Sequence, residues 1–179
     1  MKKPKPLSEL ILLSLTLLFV TTSISQSQPI IKVFGDIDEI TTEHLIRNCL
    51  QHLEVDENFY LVVKFSENMP RTQPGFTSYQ ENAGKSSQPT LWVNIKVNLD
   101  QNIRKRVLIH ELIHVKQFIK KELIATDSKD MIWHGDRYYD HQTKPKTAPW
   151  EFEAHHDGKR LAKLIQSIPD MPLLANSKE

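Results

Sequence analysis

His110, Glu111 and His114 stand in the order H-E-x-x-H inside a run that reads as helix. Side chains four apart on a helix lie one above the other on the same face, so both imidazoles can reach a single metal ion. The glutamate between them is placed to take a proton from a water that such an ion acidifies, which is the chemistry of metal-assisted hydrolysis. A tetrahedral zinc site that keeps one place open needs a third protein ligand. Two carboxylates farther along could supply it, in the run Pro149-Trp150-Glu151-Phe152-Glu153-Ala154-His155-His156-Asp157. Glu151 and Glu153 point roughly 200° apart on a helix, so only one of them can join the histidines.

Both motifs need helices to present them. Asp100 offers an N-cap to a helix over about residues 101–121, in which Leu108, Leu112 and Val115 form an apolar line. Val107 and Ile113 extend that apolar surface to neighbouring faces, so the helix is expected to be largely enclosed. Burying two histidines and a glutamate among such residues is costly unless something satisfies them, and a divalent ion does so directly. Pro149 suits the first turn of a second helix, and Phe152, Leu161, Ala162, Leu164, Ile165 and Ile168 carry its apolar pattern to about Ser167. Carboxylates near its start complement the positive end of the helix dipole.

Upstream, residues 30–34 form a short β-favouring run that stops at Gly35. Thr41 or Thr42 can cap a helix reaching about Leu53, and residues 60–65 read as a strand. From Ser66 to Pro89 the composition shifts to Pro, Gly, Ser, Asn and Gln, which predicts a long loop with at most a small strand at residues 76–79. Residues 91–97 then alternate at the strand period, so one face should be buried. There is no internal repeat and no long linker. These elements predict one α+β domain, a small twisted sheet packed against the motif helix and the glutamate-bearing C-terminal helix.

With 39% hydrophobic and 25% charged residues, a chain of 179 residues can bury one core. Lys2, Lys3 and Lys5 precede an apolar run from Leu10 to Val20, and small residues follow at Ser23 and Ser25. Residues 1–25 therefore read as a secretory signal peptide, with a run too short to span a membrane, and residues 26–179 as the exported domain, periplasmic or extracellular. The leader takes three lysines and Glu9 with it, leaving 20 basic against 21 acidic residues. A near-neutral chain has no bulk attraction for nucleic acid or anionic lipid. Cys49 is the only cysteine, so no internal disulfide can form, and its place in the pattern Leu45, Ile46, Cys49, Leu50, Leu53 marks it as a small buried residue.

The run His110-Glu-Leu-Ile-His114-Val-Lys-Gln117, followed by Pro-Trp-Glu151-x-Glu153-Ala154, resembles the small zincin-like metallopeptidases of the gluzincin kind. The resemblance covers about residues 91–166. It implies that His110 and His114 bind Zn2+, that a glutamate on the later helix is the third ligand, and that Glu111 is the general base. It also implies an edge strand beside the motif helix, a role that would fall to residues 91–97. In related families the ligand precedes a small residue by three and an aspartate by four, which selects Glu151 with Ala154. His155 stands where that aspartate would be. Glu151 is the expected ligand; the alternative register, E-x-x-x-D, selects Glu153 with Asp157, and Asp157 could then accept a hydrogen bond from a ligand histidine.

The resulting expectation is a secreted zinc hydrolase acting on a peptide or protein substrate, with no nucleic-acid partner and no membrane contact after leader cleavage. Its alternative is a non-catalytic zinc-binding protein on the same scaffold, with the fourth place closed by a side chain such as His155. Between the two helices, Tyr138, Tyr139, His134 and His141 are candidates to stabilise the charge that develops on a carbonyl oxygen.

Overall fold

The computed structural model describes residues 28–35, 38–70, 72–81, 88–140, 143 and 147–166. The expected signal peptide, His141 and the end of the last helix near Ser167 lie outside them. The described residues form a mixed α+β structure with three helices and two sheets.

The larger sheet contains β1 (Ile30–Phe34), β2 (Tyr60–Ser66), β3 (Gly75–Gln80) and β4 (Thr90–Lys96), in the order β1-β2-β4-β3. β1, β2 and β4 run parallel, and their register aligns Ile31 with Leu61 and Leu91, and Val33 with Val63 and Val93. Each of these rows is buried, as the period-two pattern of the strands requires. Helix α1 (Glu39–His52) makes the crossover from β1 to β2 that parallel strands need. Its N-cap is Asp38, whose carboxylate accepts from Thr41 N at 3.0 Å, and not Thr41 or Thr42. The helix therefore starts earlier than the threonines suggest, and Thr42 is buried inside it. Cys49 is fully buried on this helix, where desolvation pushes its thiol up to about 12.

The assignment of residues 91–97 as the edge strand is corrected. β4 pairs with β2 on one side and with β3, antiparallel, on the other. The edge is β3, which covers the small strand expected at residues 76–79 within the polar stretch. Its side chains are half-buried or exposed, which is why its composition lacks the apolar run of its neighbours.

Helix α2 (Gln101–Ile119) carries the motif, capped by Asp100 through Asn102 N at 2.9 Å. It packs on β3 and β4 on one side and against α3 (Pro149–Gln166) on the other. This double contact explains why Leu108, Ile109, Leu112, Ile113, Val115 and Phe118, spread around the helix, are all buried. After α2 the chain forms a three-stranded antiparallel meander, β5 (Leu123–Ala125), β6 (Met131–Trp133) and β7 (Asp136–Tyr138). His134 and Gly135 join β6 to β7 with φ of 47° and 92°, the two positive angles that a type I′ hairpin turn demands.

Candidate metal centre

The middle of α2 and the first turn of α3 meet at three side chains. His110 Nε2 lies 3.2 Å from His114 Nε2. Glu151 places one carboxylate oxygen 3.4 Å from the first and the other 3.5 Å from the second. Donors at about 2.0–2.1 Å from a tetrahedral zinc ion stand about 3.3 Å from one another, so the triangle has the size that zinc requires. The donor set, two imidazoles and one carboxylate, is also one that zinc favours in open sites. The three residues fit the ion on chemistry and on spacing alike.

The tautomer of His114 follows from its surroundings. Gln117, fully buried one turn on, donates its amide nitrogen to the Trp150 carbonyl at 3.0 Å, which turns its oxygen toward His114 Nδ1 at 2.7 Å. That oxygen can only accept, so Nδ1 carries a hydrogen and Nε2 is the ring nitrogen turned toward His110 and Glu151. Gln117 thus ties the start of α3 to the motif helix and orients a candidate ligand at once, the kind of support metal-bound histidines usually require. Burial lowers the His114 pKa, but the Glu151 hydrogen bond and the charges of Glu111 and Glu151 outweigh it, and the net direction is up. Burial likewise raises the Glu151 pKa, yet hydrogen bonds from His110 and His114 override it and hold the carboxyl at about 2. The pocket therefore favours a positive charge.

Glu111 is only 5% exposed and lines the same cleft. Thr77 on the edge strand donates to its carboxylate at 2.8 Å. Burial raises the Glu111 pKa, and the pull of His114, Thr77 and His110 offsets this only in part. A buried carboxylate with raised proton affinity is suited to accept a proton. Gly75 brings β3 this close: a Cβ there would lie 2.6 Å from Val107 Cγ1 and 2.8 Å from Glu111 Oε1. Gly75→Ala is expected to cost about 1–3 kcal/mol of stability by overpacking and to displace Glu111. Urea unfolding measures the first effect; an unchanged midpoint would show that the strand simply moves away.

The remaining sequence candidates fall elsewhere. Glu153 faces away from the histidines and accepts from Lys116 Nζ at 2.9 Å, while Glu122 lies 2.7 Å from the same ammonium. Glu122, His134 and Glu153 also bring ligand-type atoms within 4.8 Å of one another, but Lys116 already supplies the positive charge there. His134 is an exposed turn residue stacked edge-on against Trp133, Tyr138 packs against Trp150, and Tyr139 is 44% exposed. None of these three lines the cleft, and His155 does. Asp157 contacts His156 and Arg160, not His110 or His114. Thr77 and Gly75 sit in the stretch that reads as loop, and nothing in their sequence context marks them as neighbours of Glu111.

The centre opens into a cleft of about 730 Å³, with Phe76 and Thr77 of β3 on one side and His155 and Lys159 of α3 on the other. Comparison with protein families, with curated proteins and with solved structures found no match for the chain.

Proposed function

We propose that the protein is an exported zinc-dependent hydrolase, a metallopeptidase with a zincin-like arrangement of helix, edge strand and third-ligand helix. The observation that carries this reading is the donor triangle of His110, His114 and Glu151 beside a buried glutamate and an open cleft. When bound there, zinc supplies Lewis acidity, which polarises a carbonyl oxygen and makes a water acidic near neutral pH. Glu111 then accepts the proton of the attacking water, whose oxygen bonds to the carbonyl carbon. As the C–N bond breaks, Glu111 hands that proton to the departing nitrogen. Thr77 holds the carboxylate in place, and β3, which no other described strand covers on its outer side, gives an extended substrate a strand edge to lie against.

A non-catalytic zinc protein would close the fourth place with a side chain. His155 is exposed on the cleft and is not part of the donor group, which favours the enzyme. The export reading rests on the lysines and apolar run of the first twenty-five residues. Incubation of the purified protein with a mixed peptide library tests the activity. Cleavage should disappear on treatment with a zinc chelator and return when zinc is added back. Cleavage that persists in metal-free protein would sink the proposal.

A further inference from the structure

The cleft does not end at the metal centre. Along the seam between α2 and α3 it meets a second cavity of about 510 Å³, and Arg106 and Lys159 line both. Asn102, Lys105 and Arg106 approach it from one face of α2, at the three- and four-residue spacing of a helix surface. Lys159 and Lys163, one turn apart, approach it from α3. Among the described residues no carboxylate lines this cavity, and the only acidic ones lining the cleft are Glu111 and Glu151, both at the candidate metal centre. Among the described residues none of the four cations has an ion-pair partner. Asp157, on the same helix, is turned to Arg160 and His156. The whole chain is close to neutral, so this concentration of charge is local.

Resting on the peptidase reading, we propose that this basic groove selects peptides carrying a carboxylate near the scissile bond, gripped between Arg106 and Lys159. Arg106 is about one helical turn from His110, about 6 Å along the axis, and Lys159 is about 12 Å along α3 from Glu151. An extended peptide advances about 3.3 Å per residue, so the carboxylate sits about two or three residues from the bond that is cut. A guanidinium matches a carboxylate in shape as well as charge, and an ammonium adds a flexible second contact. The carboxylate can be an acidic side chain or the free end of the chain; the groove recognises the same group in both.

Three matched pentapeptides separate these sources: one with an internal Glu and an amidated end, one with Gln and a free end, one with Gln and an amidated end. Their affinities are measured by calorimetry with zinc-loaded Glu111→Gln protein, and again with Arg106→Ala and Lys159→Ala added. At least one carboxylate peptide should bind about fivefold or more tighter than the neutral one, and the added substitutions should erase most of that advantage. Whichever peptide gains identifies the source. Equal affinity for all three would overturn the inference, and so would a preference that survives loss of Arg106 and Lys159. Zinc-loaded wild-type protein is assayed in parallel on the neutral peptide and the library. Cleavage without any carboxylate preference rejects the groove and spares the peptidase reading; carboxylate binding without any cleavage does the reverse.

Discussion

Glu111→Gln is expected to lower hydrolysis by about 10²–10⁴-fold while zinc content stays at the wild-type level. The substitution keeps the volume of a side chain that is 5% exposed, and the amide oxygen can still accept from Thr77. What it removes is the capacity to take up a proton. His110, His114 and Glu151, which define the donor triangle, are untouched. Measuring kcat together with metal content separates a lost base from a lost ion. Turnover at the wild-type rate would show that another group moves the proton.

Glu151→Ala and Glu153→Ala should behave in opposite ways in thermal unfolding with and without zinc. Zinc at about a thousand times its Kd adds about 4 kcal/mol to the stability of a protein that binds it only when folded. Glu151→Ala removes one of three donors and should weaken zinc by at least a factor of about a hundred, the upper end of what losing a mere supporting contact costs. Most of the zinc-dependent rise in Tm should vanish with it. Glu153→Ala removes one of two carboxylates from Lys116, a partly exposed ammonium that keeps Glu122 as a partner. That should cost about 1 kcal/mol or less in metal-free protein and leave the zinc increment unchanged. The same two substitutions thus distinguish a ligand from a brace between helices.

Helix and strand positions were largely legible in the sequence because they rest on local signals. Asp100 marks the start of α2, Pro149 the start of α3, and the alternation of residues 91–97 the central strand β4. What was not legible depends on contacts between distant segments. The small strand expected at residues 76–79 is present as β3, but its place at the edge, antiparallel to β4, depends on backbone hydrogen bonds to a distant segment that its composition does not reveal. Glu151 and Glu153 are alike in composition and two positions apart; Lys116, thirty-seven residues before Glu153, is what draws the second one away. Gln117 is visible in the sequence beside the motif, but its role depends on a carbonyl at Trp150 that only the packing of α3 brings near. His134 shows the converse: chemically suited to a site, it occupies a hairpin turn that its residue type alone does not reveal.

Zinc stoichiometry and affinity, measured by competition titration on the wild type, Glu151→Ala and Glu153→Ala, test the central assignment most directly. The account predicts one tightly bound zinc per chain in the wild type and in Glu153→Ala, and an affinity at least about a hundredfold weaker in Glu151→Ala. Undiminished binding by Glu151→Ala, or loss of zinc in Glu153→Ala alone, would contradict it.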